Sequence, residues 1–553
     1  MSDETQPAAN GLPAVTAPIA LTPSALVAGP DEQAQLELPR GTRLDAWWAH
    51  LLSTPKRQQL WYWGGPLAML LLAAVLRLWN LGSPHALIFD ETYYVKDAYS
   101  LLRHGIEMNW AQGANPGFEA GDTSGLLGTP EFVVHPPLGK WMIALGIGVL
   151  GVENAFGWRI TTALAGILAV WLVMMIARRL TGSTMLAVIA GLLMAVEGTA
   201  IVMSRVAILD NWVMLFALLG VSAVLADRSW HERQLNTRLE RLRASGSEPS
   251  WGPAFWWRPW LIAAGLAFGA SAAVKWSGLW FLLGFFVYVV GVDALARRRA
   301  GLPVWLSASI LKQGPISGLL MAIPALLAYL ASWTGWLLTS TGYGRNWAAE
   351  NGTTGPLPNW LVSLWHWHEQ ALNYHTHLST PHPYQANPLT WLFMIRPTSM
   401  YYEGSKLGEA GCWVDSCSSA ITAIGNPLIW WGAVVAIGFL YWRLIRHREW
   451  QTGLILMGIA AGYLPWLMYL NRTMFEFYTI VFVPYSILAI TWCIKLALGS
   501  ASDPTDRRTL GIAWVAVYLG TVMLIAAYFL PLYTGMQIPF WLWNSHIWLP
   551  SWR

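Results

Sequence analysis

The chain has 553 residues, of which 55% are hydrophobic and only 12% charged, and its mean hydropathy is +0.41. That composition excludes an ordinary soluble enzyme, and repeated apolar runs of about 20 residues mark a polytopic helical membrane protein. The formal net charge of +4 is too small, and too finely divided between loops, to point to a nucleic-acid partner. In chain order, residues 1–57 are rich in Ala and Pro with scattered acids and read as a disordered cytoplasmic tail. Trp47, Trp48 and Leu51, followed by Lys56 and Arg57, suit a surface-lying approach to the first span.

Apolar length and flanking residues predict about eleven spans, at 60–80, 158–178, 184–203, 206–226, 259–274, 278–296, 313–332, 426–445, 451–470, 476–498 and 509–530. The stretch Trp141–Val152 is too short to cross and is read as re-entrant or interfacial. With it left out, Arg178–Arg179, the arginines of 227–258, Arg297–Arg299, Arg443–Arg448 and Arg507–Arg508 all fall on the cytoplasmic side, as the positive-inside rule asks. The N-terminus is then inside and the C-terminus outside. The expected units are the tail 1–57, a transmembrane catalytic module 58–332 with a first external loop 81–157, a long external loop 333–425, and a C-terminal transmembrane region 426–553.

Leu87–Gly105, LIFDETYYVKDAYSLLRHG, lies in that first external loop. Asp90 occupies an N-cap position, Glu91 opens a short helix and Gly105 closes it. Phe89 and Tyr94 are placed to form a hydrophobic staple, and the apolar face suggests a helix lying along the membrane surface. Asp90 could serve only as a cap; it could also be a reactive carboxylate, with Glu91 beside it. At a helix N-terminus its pKa should be depressed.

The topology brings Arg77, Arg159, Arg205, Asp210, Lys275, Arg472 and Glu476 to the outer leaflet, below Asp90 and Glu91. Each taken singly could be an anchoring residue near a helix end. Together, the cations ask for anionic partners that the sequence does not supply, and a lipid phosphate at headgroup level fits Arg and Lys chemistry. Asp90 would then act as general base towards an acceptor hydroxyl, while the cations stabilise a departing phosphate.

At these residues the chain resembles the protein O-mannosyltransferases, in their bacterial branch, within the GT-C class of glycosyltransferases. RLWNLGSPHALIFDETYYVKDAYSLL, VHPPLGK, FGWRI, SRVAILDNWVMLF, SAAVKWSGL, HPYQANPLTWLFMIRP and the NRTMFEFYTIVFVPY region follow in family order. The resemblance implies a GT-C-type all-α polytopic fold, a polyprenyl-phosphate mannose donor, and Ser or Thr of exported proteins as acceptor. It makes Asp90 the catalytic Asp, with Glu91 as a partner implicated in acceptor binding. Arg77 and Arg159 match functionally important arginines, and Lys140 and Lys275 match basic residues facing the lipid phosphate, to which Arg472 is added. His135, Arg205, Asp210, Glu476 and His382 complete the candidate substrate contacts. The chain departs from the eukaryotic branch in lacking room at 333–425 for trefoil repeats, and in having Phe477–Tyr478 where that branch has a His-Tyr pair.

The long loop holds His366, His368, His375, His377 and His382, for which hydrogen-bonding roles are favoured over a metal site. No metal or cofactor is expected. Cys412 and Cys417, if external, favour a small disulfide loop. The expected partners are the lipid-linked donor, Ser/Thr-containing exported polypeptides and membrane lipid, with the secretion channel left open. A GT-C enzyme acting on a glycan or lipid is the nearest alternative. A lipid-linked sugar flippase ranks lower, because the charges gather at one face and no internal repeat is visible.

Overall fold

The computed structural model describes residues 41–353 and 355–553. Of the tail expected over residues 1–57, residues 1–40 lie outside the described residues, and the rest is largely helical rather than disordered. Thr42 and Asp45 form a reciprocal capping box on α1 (Arg43–Leu51), and Asp45 also accepts a 2.7 Å hydrogen bond from Arg508. Two specific caps and an ion pair thus order a segment whose bulk composition suggested none.

Among the described residues, eight helices are long and apolar enough to cross a membrane, or nine if one bent pair counts as a single span. They include α2 (Pro55–Leu78), α5 (Ala155–Thr181), α8 (Asp210–Ala244), α10 (Gly278–Arg299), α13 (Pro427–His447) and α16 (Thr505–Thr534). Two more are α11 (Trp305–Ser332), which contains a π-helical turn, and α14 (Trp450–Tyr469), which ends in a 3₁₀ turn. The expected count of about eleven exceeds this. The segments expected at 259–274 and 476–498 are the shorter helices α9 (Pro259–Val274) and α15 (Val483–Leu498), and 16 residues reach only about 24 Å at 1.5 Å per residue. Leu138–Leu150, α4, is likewise a short apolar helix.

The bent pair is α6 (Thr184–Val196) and α7 (Gly198–Arg205), which meet at 60°. Glu197 makes the break. Its carboxylate accepts from the Ala200 amide at 2.6 Å, capping α7, and from the Trp430 indole at 3.0 Å. A helix that breaks leaves its last carbonyls without intrahelical partners. Arg77 supplies them, donating to Met194 and Ala195 carbonyls, each at 3.1 Å.

The helix α3 (Glu91–His104) closes at Gly105, whose φ of 74° is the left-handed conformation that glycine accepts most easily. It is not a surface-lying helix: Glu91, Val95, Asp97, Ala98, Tyr99 and Leu101 are buried, and it packs on α4. A short antiparallel pair, β1 (Met108–Trp110) and β2 (Leu126–Pro130), follows it.

The long loop is ordered by an aromatic cluster of its own. Trp333, Trp336, Leu364 and Trp367 are buried together, with the Trp333 and Trp367 rings 4.5 Å apart, and they seat α12 (Asn359–His377). Trp276, next to Lys275, packs against the same cluster. Beyond it, β3 (Thr398–Lys406), β4 (Ser416–Ala423) and β5 (Ile538–Pro539) form a small antiparallel sheet in that order. A disulfide joins Cys412 to Cys417 at the tip of the β3–β4 hairpin.

Candidate active site

Two neighbouring carboxylates are treated in opposite ways. Glu91 is fully buried; Arg159 donates to both of its oxygens at 2.8 Å, and the Ala207 and Ile88 amides donate to them at 2.8 and 3.0 Å. Arg159 also gathers the carbonyls of Leu81, Pro84 and Ala86, so the pair clamps the whole turn leading into α3. Asp90 occupies the N-cap position but makes no side-chain cap hydrogen bond. Immediately before it, Phe89 has φ of +49°, a left-handed conformation that costs a bulky residue about 1 kcal/mol or more and clusters at functional sites. Rather than stapling to Tyr94, the Phe89 ring meets Phe475, Phe477 and His382 edge-on.

Released from capping, Asp90 has its pKa raised to about 6 rather than depressed. Burial is the main cause, and Asp210 adds to it, while Lys275 pulls the other way. The expected dipole effect is lost because no amide hydrogen bond reaches the carboxylate.

Within electrostatic reach of Asp90, through Lys275 and Tyr478, lies a pocket of about 730 Å³, lined by residues that include His135, Lys275, Trp276, His375, Arg472 and Tyr478. Lys275, in the turn between α9 and α10, is 2.7 Å from Asp210, the first residue of α8, and its ammonium sits 5.1 Å from the Tyr478 ring centre. His375 approaches the Val134 carbonyl at 2.7 Å through Nε2, so that nitrogen carries the proton. Its Nδ1 is then the acceptor for Arg472 Nη2 at 3.3 Å. His135 stacks on His375 at 5.0 Å. Burial, with the surrounding cations, lowers the pKa of His135 well below the usual imidazole range, and burial lowers that of His375 to about 4. At neutral pH the positive charge facing the pocket is therefore that of Lys275 and Arg472. Among the described residues, Arg472 has no acidic partner and makes one side-chain hydrogen bond, to His375.

The structure separates the remaining cations from this pocket. Arg77 is spent on the α6 carbonyls and on Ser204, and Arg205 on the carbonyls of Leu76, Arg77, Trp79 and Asn80 at the end of α2. Both are guanidinium caps on helix C-termini, and carbonyl dipoles stand where a lipid phosphate was expected. Lys140 is 2.6 Å from Glu107 and 3.2 Å from the His135 carbonyl, so it fixes the loop that presents the His135 ring. Glu476 is buried at the start of a 3₁₀ turn, accepting from the Arg396 amide at 3.3 Å, and does not line the pocket. His382 stays near Asp90 through Phe89.

Residues 134–233 match the family model described as dolichyl-phosphate-mannose-protein mannosyltransferase, and residues 360–552 match that of the C-terminal four TMM region of protein-O-mannosyltransferase. A polyprenol-phosphate-mannose–protein mannosyltransferase of Mycolicibacterium smegmatis is 35% identical over 496 residues, which cover 87% of this chain and 91% of the relative. The chain belongs to the protein O-mannosyltransferase family. A Corynebacterium glutamicum relative of the same name is 32% identical over 87% of the chain. The fold is that of the Saccharomyces cerevisiae Pmt1–Pmt2 complex bound to the sugar donor, with a TM-score of 0.64 at 16% identity, covering 88% of this chain and 92% of that one.

Sequence reasoning about this family member missed the aromatic walls of the pocket, Trp466 and Tyr469. Thirty-seven Trp in the chain hid them among membrane anchors. His375 was visible only as one of five loop histidines. The others have separate partners: His366 stacks on Trp347, His368 bonds Tyr329, His377 bonds the Asn373 carbonyl, and His382 accepts from the Tyr384 amide.

Proposed function

We propose that this protein transfers mannose from polyprenyl-phosphate mannose to Ser or Thr hydroxyls of polypeptides, at the outward face of the cell membrane. In this reading the lipid phosphate occupies the pocket between Lys275 and Arg472, with neutral His135 and the His375 edge as further polar neighbours. Asp90 removes the proton from the acceptor hydroxyl as its oxygen attacks the anomeric carbon. The carbon–oxygen bond to phosphate breaks on the far side, its electron pair leaves with the polyprenyl phosphate, and the anomeric configuration inverts. The two cations stabilise the charge that gathers on the leaving phosphate.

A pKa near 6 suits the proposed base: Asp90 is mostly ionised at pH 7, yet more basic than an ordinary Asp. Glu91, spent on Arg159, acts in this scheme by holding Asp90 in place rather than by meeting the acceptor. The observation that carries the reading is a raised-pKa carboxylate within electrostatic reach of Lys275, in a pocket whose Arg472 has no acidic partner among the described residues, in a chain of this family. Purified protein given radiolabelled polyprenyl-phosphate mannose and a Ser/Thr peptide should yield labelled peptide, released by β-elimination. Labelled lipid or glycan with unlabelled peptide would overturn the acceptor assignment.

A further inference from the structure

At the far end of the helices from Asp90, a second polar pocket opens above an apolar groove. The polar pocket, about 770 Å³, is lined by Arg179, Arg228, Arg233, Ser229, Trp260 and Trp450. The groove, about 1210 Å³, runs between α5, α8 and α9, with Trp171, Phe216 and Leu266 on its walls and Ala223, Ala267 and Ala270 among its small residues. The two share Arg179, Ala226 and Trp260, so they form one continuous site with a basic mouth and a hydrocarbon-lined stem.

The basic mouth has little acid to neutralise it. Arg228 lies over the Trp450 ring at 3.8 Å and 3.4 Å from Glu232, which is itself engaged by Arg299 at 2.9 Å. Arg179 donates to the Ser222 carbonyl at 3.1 Å. Among the described residues, neither Arg179 nor Arg233 has an acidic partner. From Trp260 to Ala270, α9 rises about 15 Å, half of a hydrocarbon core of about 30 Å.

We infer that this site binds an anionic glycerophospholipid, with its phosphate among Arg179, Arg228 and Arg233 and an acyl chain along the groove. The stem matches one leaflet, and its mouth lies at the opposite membrane face from Asp90, so it is not the donor's reaction site. Charge chooses the headgroup: the three guanidiniums favour a net-negative lipid over a zwitterionic one. The inference is independent of the sugar or acceptor the enzyme uses.

Native mass spectrometry of the full-length protein, released from micelles containing equal phosphatidylglycerol and phosphatidylcholine, tests this. Wild type should retain phosphatidylglycerol over phosphatidylcholine by about fivefold or more. Replacing both exposed guanidiniums, R179Q/R233Q, should bring that ratio close to one, whereas R238Q/R241Q, further along α8, should leave it at the wild-type value. Filling the groove with Ala267→Phe should reduce retention of phosphatidylglycerol with the arginines intact. Equal retention of the two lipids by wild type, or an unchanged ratio in R179Q/R233Q, would overturn the site. So would an equal loss in R238Q/R241Q, which would mean diffuse attraction to a basic face. Thermal stabilisation by inorganic phosphate alone as large as that by phosphatidylglycerol would replace the lipid with a small anion.

Discussion

Arg159 holds both carboxylate oxygens of Glu91 at 2.8 Å, and this clamp leaves Asp90, one residue earlier, free of any capping contact. The adjacent pair is therefore one carboxylate held in an ion pair and one left without a capping partner. Glu91→Gln strands the buried guanidinium and should destabilise the protein by about 3–5 kcal/mol, because an uncompensated buried charge is left behind. Turnover should fall with it, through misplacement of Asp90. Thermal melts of Glu91→Gln, Arg159→Met and the double variant check this: the double variant should lose far less than the sum. Additive losses, or a Glu91→Gln effect confined to the acceptor KM, would return Glu91 to substrate binding.

Asp90 separates base from cap through pH. Asp90→Asn should lower kcat by about two to four orders of magnitude. The wild-type kcat/KM should rise with pH through about 6, where the base ionises. Stability should move in the other direction. The folded pKa near 6 exceeds the ordinary 3.8, so the ionised carboxylate costs the fold stability above pH 6, and that cost vanishes below about pH 3.8. A two-unit shift sets an upper bound of about 3 kcal/mol, and screening at a partly exposed site reduces it to about 1–2 kcal/mol. Asp90→Asn should therefore melt higher than wild type at pH 7.5 and equally at pH 4. A melting temperature lowered by Asp90→Ala but unchanged in Asp90→Asn at pH 7.5 would make Asp90 a cap.

Arg472 and Arg77 were equivalent candidates in the sequence and should behave oppositely. Arg472→Met should raise the donor KM by about 10- to 100-fold, the worth of one charge-assisted contact, with little change in melting temperature. Arg77→Met should leave surviving enzyme with a normal donor KM but destabilise it, since the Met194 and Ala195 carbonyls lose their buried donors. Steady-state kinetics and melts on the two proteins distinguish the roles.

Orientation is checked by labelling. Ser124→Cys, in the first loop, should react with an impermeant thiol reagent added outside intact cells, and Ser247→Cys, just past the end of α8, should not. Both side chains are exposed and the native Cys493 is partly buried, so background labelling should be low. Labelling of Ser247→Cys from outside would reverse the placement of every charge.

Apolar run length located most membrane helices, and Gly105 and the Asp90–Glu91 dipeptide located α3, because these signals are local. The role of each buried charge was not legible. Arg77, Arg159 and Arg205 find partners far along the chain, and all three bind backbone carbonyls, which leave no trace in a side-chain pattern. The break at Glu197 was hidden for the same reason: its partner Trp430 is distant in sequence. Capping at Asp90 failed as a reading because the left-handed Phe89 turns the chain away from ordinary N-cap geometry.

One consequence of α8 concerns the bilayer itself. This helix carries Asp210 at its first residue, paired with Lys275 of the Arg472 pocket, and Arg228 at the basic mouth, with no proline between them to act as a joint. At 1.5 Å per residue the two lie about 27 Å apart along the axis, close to the thickness of a hydrocarbon core. The helix is thus a caliper with fixed jaws. In a markedly thicker membrane one jaw must sink below its headgroup layer, so the lipid environment sets how deeply the pocket around Lys275 sits relative to the membrane surface.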